Sequence, residues 1–181
     1  MREETIKVFA FDELGAEAKE RVRDTLRSWP DLWSWQKEWE ESAEAFSAIA
    51  PIRIGGARFD HASVDVDWTG DDAVGDLSGL RAWKWLNNNG WFDLAAKNAQ
   101  GSCTLTGFMG DCSLFDPIHR YAADPLNVPT LWGLFYSCAQ SWVCEARQDL
   151  EWSYSDEHID EMAHANFEFL ADGRIYHGAA A

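Results

Sequence analysis

The sequence predicts an α+β fold, in which a small antiparallel sheet packs against several helices. Short stretches of alternating apolar and polar residues, typical of strands, are scattered among stretches with helical spacing. The chain has 181 residues, of which 46% are hydrophobic and eleven are tryptophan, so a sizeable core can be buried. We therefore expect a single domain over residues 1–177 and a flexible C-terminal tail over residues 178–181.

The N-terminal part of the chain predicts a strand followed by two helices. Residues 5–11 alternate as a strand does, and residues 12–29 have helical spacing with interleaved charges. Pro30 cannot continue a helix and is expected to end this one. Trp and Phe recur along one side of residues 32–49, which predicts the second helix.

The middle of the chain predicts short elements. We expect a turn over residues 51–56, a strand at the end of residues 57–68 and a polar loop over residues 70–76. The other predicted elements are helices over residues 77–86 (with Leu80 facing inward), 91–99 and 113–122, and a strand over residues 102–108.

The C-terminal part predicts the longest helix, a capped helix and a hairpin. Residues 129–152 repeat apolar residues at helical spacing, with Trp142 in the buried stripe. Ser155 is a typical N-cap for a helix over residues 156–166. Residues 167–177 alternate around an Asp-Gly pair, which favours a hairpin turn.

The cysteines and histidines give no catalytic signature. Four cysteines, at positions 103, 112, 138 and 144, lack metal-binding spacing, and we expect buried thiols without disulfides. Cys112 with His119, or Cys103 with His61, are the two conceivable thiol–histidine pairs, and no family signature accompanies either.

One short segment of the last helix resembles part of a metal site. Glu161 and His164 match half of a di-iron motif, but the second half is missing, and His158 diverges around the helix. A solvated helix face is the favoured interpretation. No nucleotide-binding or hydrolase motif occurs, so we expect no enzyme and no cofactor.

The acidic stretch over residues 65–76 partly matches a calcium-binding loop. Asp65, Asp67, Thr69 and Asp76 occupy ligand positions, and Gly70 occupies the turn position. However, the segment before the loop alternates like a strand instead of a helix. The eighth position is Asp72 instead of an apolar residue, and the last position is Asp instead of Glu. The alternative is a strand end followed by a polar acidic loop.

The formal net charge of −16 is unevenly distributed. Residues 59–181 contain nineteen acidic and six basic residues, against twelve and nine in residues 1–58. This charge excludes general affinity for nucleic acid or anionic membranes and favours a basic partner. The N-terminus lacks an apolar run and no stretch could span a membrane, so a cytoplasmic protein is expected.

Like charges also recur four residues apart on the last two predicted helices. The pairs are Glu145/Asp149, Asp156/Asp160 and Glu157/Glu161. Each such pair costs about 0.2–0.5 kcal/mol, so the acidity is expected to serve either solubility or binding. The candidate binding residues are Asp65, Asp67, Asp71, Asp72, Asp76, Glu145, Asp149, Asp156, Glu157, Asp160 and Glu161.

Four segments form a further pattern: FDELGAEAKE at residues 11–20, WSWQKEW at 33–39, CTLTGF at 103–108 and FEFLADGRIY at 167–176. This pattern resembles a loose group of small, acidic, phage- and prophage-encoded proteins, and the likeness spans most of the chain. The group has no established activity. It implies a phage context, in which small acidic proteins often block host defences.

Charge and resemblance together predict a phage-derived inhibitor, similar in kind to anti-CRISPR proteins, acting in the bacterial host cytoplasm. Its acidic segments 60–76 and 145–161 would mimic nucleic acid and occupy a basic, nucleic-acid-binding defence complex. Two alternatives stay open. One is a metal-dependent enzyme or calcium-binding module using Asp65, Asp67 and Asp76, and the other is an antitoxin-like partner of a basic toxin.

Overall fold

The computed structural model describes residues 6–29 and 34–177. Over these residues the chain forms eight α-helices and one two-stranded antiparallel sheet, which confirms the α+β class. The helices are α1 (Ala16–Arg27), α2 (Ser34–Ile49), α3 (Asp72–Gly75), α4 (Gly79–Asn88), α5 (Trp91–Ala99), α6 (Gly110–Arg120), α7 (Leu131–Ser153) and α8 (Asp156–Asn166). The strands are β1 (Ile52–Arg58) and β2 (Ser63–Trp68).

The chain divides into two compact units. The terminal unit comprises the described residues of Met1–Ser34 and Glu151–Ala181, and the central unit comprises Trp35–Leu150. The single domain over residues 1–177 stays a prediction, and the tail predicted at residues 178–181 lies outside the described residues.

The core of the terminal unit forms between α1 and α8. Val22 and Leu26 on α1, and Ile159 and Ala163 on α8, are fully buried at the four-residue spacing that puts each pair on one helix face. The Ser155 hydroxyl accepts the backbone N–H three residues later at 3.2 Å. This confirms the predicted N-cap of α8.

The strand predicted over residues 5–11 is wrong for its described part. Among residues 6–11, only Phe9 makes a β-bridge, with Phe169, through N–H···O bonds of 2.8 and 2.9 Å. The chain then turns because the Glu13 carboxylate accepts the Ala10 N–H at 2.9 Å. A single 3₁₀ turn results, and α1 begins later than predicted.

The predicted hairpin over residues 167–177 is confirmed as a narrow turn. Phe169 bridges to Ile175, and Gly173 has a φ of +88°. Glycine is required there, since an added Cβ would lie 2.5 Å from the Ala18 carbonyl oxygen and φ is left-handed.

In the central unit, the turn predicted over residues 51–56 is wrong, because this segment belongs to β1. Ile54 pairs with Val66 of β2, and the register then shifts at a β-bulge. Gly55 lies in this bulge, where an added Cβ would be 3.3 Å from the Asp65 carbonyl oxygen. Glycine therefore marks close strand approach here instead of a turn.

Helix α7 supplies the centre of this unit's core, as predicted. Phe135 is fully buried and meets the ring of Trp91 with centroids 4.9 Å apart. Trp142 is 1% exposed, and its indole N–H donates to the Trp39 carbonyl at 3.0 Å. The predicted burial of Trp142 is confirmed.

Two local predictions next to this core are wrong. Residues 70–76 are not a simple loop, because the Asp71 side chain accepts the N–H two residues later at 2.8 Å and starts the one-turn helix α3. In α4, Leu80 is 45% exposed, and Ala82 faces the core in its place.

The strand predicted over residues 102–108 is also wrong. Two successive backbone N–H groups in this segment donate to the Asp111 carboxylate, each at 2.8 Å. The N–H of Thr104 donates to the Asn98 side chain at 3.1 Å. Asp111 and Asn98 are almost fully buried, so side chains satisfy the donors that a neighbouring strand would otherwise pair.

Candidate functional site

Asp156 and Asp160 on α8 are paired with arginines of α1 within the terminal unit. Arg23 makes a bidentate bond to Asp160, at 2.8 and 2.7 Å, and Arg27 forms an ion pair with Asp156. The Arg23 hydrogen bonds hold the pKa of Asp160 below its ordinary value. Asp156 and Asp160 are therefore not an uncompensated pair of like charges, since α1 supplies the cations.

The other two acids of α8, Glu157 and Glu161, are exposed and form no ion pair within the described part of the chain. His164, beside them on the helix, is held by the Asp160 carbonyl at 2.7 Å and the Asp12 carboxylate at 2.8 Å. These contacts raise the pKa of His164, the carbonyl contributing most. Its ring is thus occupied by protein groups and is no part of a di-iron site.

The acids of β2 and α3 have fewer partners. Asp65 and Asp67 point outward from β2, and Asp67 pairs with Arg53 at 2.7 Å. Asp72 and Asp76, at the two ends of α3, are exposed and form no ion pair with any described residue. Asp72 and Asp76 therefore present negative charge that no described residue neutralises.

The calcium-loop interpretation finds no geometric support. Asp65 and Asp67 belong to a strand, and Asp71 caps α3, so the segment does not wind around a common centre. Among residues 6–29 and 34–177, no group of three or more His, Cys, Asp or Glu side chains could hold a metal ion.

Trp68 joins this acidic segment to α7. Its indole N–H donates to the Asp71 carbonyl at 3.2 Å, and the chain wraps the ring closely at two glycines. An added Cβ at Gly70 or Gly75 would lie 3.1 or 3.0 Å from Trp68 ring atoms. The Trp68 ring also meets Trp132 edge-to-face, with centroids 6.0 Å apart at 82°.

Trp132 and Tyr136 continue this aromatic contact toward solvent. They lie four residues apart on α7, their ring centroids are 5.9 Å apart, and they are 37% and 41% exposed. Each follows directly after a residue of the predicted buried stripe, Leu131 or Phe135. This spacing is the sequence signal that could have identified them as surface residues. The acidic–aromatic surface is defined as Trp68, Asp71, Asp72, Asp76, Trp132 and Tyr136.

A cleft of about 730 Å³ opens in the central unit among α2, α5, α6 and α7. Its lining includes Glu145 and Asp149 from the predicted set, and also Glu38 and Asp116. Asp149 is already engaged, since its carboxylate accepts the indole N–H of Trp39 at 3.0 Å. The cleft is acidic, but part of its charge has internal partners.

Neither thiol–histidine pair forms. Cys112 and His119 both line the cleft, but they stand seven residues apart on α6, about 10 Å along the helix axis. His61 pairs with Asp60 at 3.2 Å, and the Cys103 sulfur lies 3.6 Å from the Cys112 sulfur.

The prediction of buried thiols holds for Cys138 and is wrong for the exposed Cys144. Cys103 and Cys112 are partly buried. Each of the four is a free thiol in this structure.

Comparison with protein-family models, curated proteins and solved structures found no match to this chain. None of the helices in the described residues is long and apolar enough to cross a membrane.

Proposed function

We propose that this protein is a phage-derived inhibitor that binds a basic, nucleic-acid-binding host defence complex, such as a CRISPR effector, in a stoichiometric complex. The acidic–aromatic surface carries the proposal. It combines carboxylates that form no ion pair with a described residue and partly exposed tryptophan and tyrosine rings, and Trp68 contacts both groups.

This combination fits arginine-rich partners better than other partners. Trp and Tyr are enriched among the residues that dominate binding energy, and arginine stacks on their faces. Carboxylates accept the guanidinium group in bidentate hydrogen bonds. A groove that binds nucleic-acid phosphates presents such arginines, and Asp72 and Asp76 would take the place of two phosphates there.

The proposal narrows the binding residues predicted from sequence. Asp156 and Asp160 hold α8 against α1, and Asp149 holds an indole, so these three act within the protein. Asp65, Glu157 and other exposed acids add to the negative field that steers a basic partner. In this proposal, the acidic–aromatic surface makes the direct contact with the basic partner.

Peptide binding by fluorescence anisotropy tests this surface directly. Labelled oligo-arginine should bind more tightly than oligo-lysine of equal length, because only the guanidinium group is planar. Replacing Asp72 and Asp76 by Asn should weaken oligo-arginine binding about tenfold, the equivalent of 1.4 kcal/mol. The matched control, Glu157→Gln with Glu161→Gln, removes the same charge elsewhere and should weaken it much less.

The aromatic half is tested with Trp132→Leu and Tyr136→Leu, which keep an apolar side chain but remove the ring faces. Both should reduce the preference for arginine over lysine. Two results would show that the surface binds only through nonspecific charge. One is equal weakening of oligo-arginine binding by the Asp72/Asp76 and Glu157/Glu161 variants. The other is an unchanged preference for arginine after both rings are replaced.

The inhibitor function itself is tested on a purified defence effector. Binding should weaken with salt, since exposed charges are screened beyond about 8 Å at physiological ionic strength, and duplex DNA should compete. An effector that cleaves DNA equally well with and without saturating wild-type protein would contradict inhibition of that effector. Retained inhibition by the Asp72/Asp76 variant would instead move the contact to another surface.

A further inference from the structure

Cys103 and Cys112 lie in contact at the edge of the cleft in the central unit. Their sulfur atoms are 3.6 Å apart, so a disulfide of about 2.05 Å requires an approach of about 1.5 Å. Cys138, in contrast, is buried in the core, and Cys144 is exposed. The chain thus holds one pair of thiols at reacting distance, among the residues that the structure describes.

The surrounding hydrogen bonds hold this pair in place. Cys103 follows α5 in the segment that donates to Asn98 and Asp111, and it has a φ of +39°, which residues other than glycine seldom adopt. Cys112 lies in the first turn of α6, and its thiol donates to the Asn98 carbonyl at 3.4 Å. Oxidation would remove this weak bond while the bonds to the Asp111 carboxylate can remain.

We propose that Cys103 and Cys112 are a modification site, which a low-molecular-weight disulfide such as oxidised glutathione converts to an intramolecular disulfide. The thiolate of one cysteine attacks the oxidant, forms a mixed disulfide and releases one small thiolate. The thiolate of the other cysteine then attacks the protein sulfur of that mixed disulfide and releases the second. The two cysteine protons end on the two small thiols, so the oxidant is reduced as the protein is oxidised.

The new bond would change the cleft, because it closes a ring over residues 103–112. This ring contains Phe108 and Met109, which line the cleft, and Met109 is 78% exposed. Oxidation fixes this wall of the cleft, and reduction by excess thiol releases it.

The reaction should be slow at neutral pH and faster in mild alkali. Burial, together with the neighbouring Cys112 sulfur, raises the pKa of Cys103 to about 11. Since the thiolate is the reactive form, its small fraction at neutral pH slows whichever step uses Cys103 as the attacking group.

The test uses the full chain with Cys144→Ser, which removes the exposed thiol. After treatment with oxidised glutathione and alkylation of the remaining thiols, trypsin releases residues 98–120, which contain both cysteines and no internal Lys or Arg. Mass spectrometry should show this peptide lighter by two hydrogen atoms and without alkyl groups. The oxidised protein should unfold about 5 °C higher than the reduced one.

The matched control adds Cys112→Ser, and this protein should keep glutathione on Cys103 with no rise in the unfolding midpoint. Full alkylation of both cysteines after oxidant, or a mixed disulfide that persists in the Cys144→Ser protein, would overturn the proposal. A disulfide that forms without raising the midpoint would overturn the proposed fixing of the cleft wall.

Discussion

Two acidic segments that look alike in the sequence have different surroundings in the structure. On α8, Asp156 and Asp160 face the arginines of α1, and their charge holds the terminal unit together. At the ends of α3, Asp72 and Asp76 face solvent without an ion pair among the described residues. Like charges four residues apart on one helix therefore repel without compensation only where no cation from another part of the chain pairs with them.

Reversing one charge in each segment should produce the largest difference between them. Asp160→Lys places a second cation beside Arg23, and we expect a loss of about 1–3 kcal/mol in the free energy of unfolding. This lies between the values for exposed and buried pairs, because the two side chains are 21% and 29% exposed. Urea unfolding followed by circular dichroism measures it.

Asp76→Lys is the control, and it should leave the free energy of unfolding nearly unchanged because no ion pair with a described residue is lost. Equal losses in the two variants would remove the distinction between structural and exposed acids. The same reasoning favours neutral Glu157 and Glu161 variants as binding controls, because they leave the ion pairs of Asp156 and Asp160 intact.

A smaller effect should appear in the pH dependence of the terminal unit's stability. The raised pKa of His164 means that its stabilisation is fully present below the ordinary value of 6.5 and is lost as pH rises through the raised value. Asp160 has the opposite sign: its lowered pKa means that stabilisation is present above 3.8 and is lost as pH falls.

His164→Gln should therefore flatten the decline of the unfolding midpoint as the pH rises above the ordinary histidine pKa of 6.5. The effect should be smaller than that of Asp160→Lys, because the His164 side chain is 42% exposed and solvent screens it. Asp12→Asn should flatten the decline in part, since the Asp160 carbonyl remains. An unchanged decline in His164→Gln would assign the pH dependence to other groups.

The helices were the most predictable part of the fold, because their signals are local. The buried stripe through Trp142 and the cap at Ser155 need only spacing and residue type. The segment over residues 102–108 has strand-like residues, but buried Asp111 and Asn98 take its N–H groups. Such a side-chain contact has no periodic signal in the sequence.

The candidate site was predictable only in part for a similar reason. The sequence displays every carboxylate, but the pairing of Arg23 with Asp160 joins residues 137 positions apart. The aromatic half was missed because Trp and Tyr at helical spacing normally indicate a core. Trp132 and Tyr136 are half exposed because they lie beside the stripe that α7 buries.

The smallest expected effect concerns calcium at the acidic segment of β2 and α3. If Asp65, Asp67 and Asp76 formed a site, calcium at 100 times its dissociation constant would add about 2.7 kcal/mol to the stability of the folded state. We expect almost no shift in the melting temperature at millimolar calcium, because Asp67 already pairs with Arg53 and the strand holds its neighbours apart.

Magnesium at equal ionic strength is the control, because either cation screens the exposed acids to the same extent. A rise of several degrees that is specific for calcium and disappears in Asp65→Ala would show that the segment rearranges around an ion. The exposed acids would then be calcium ligands. The two segments would differ in the cation that neutralises them, which is arginine for the acids of α8 and calcium for these.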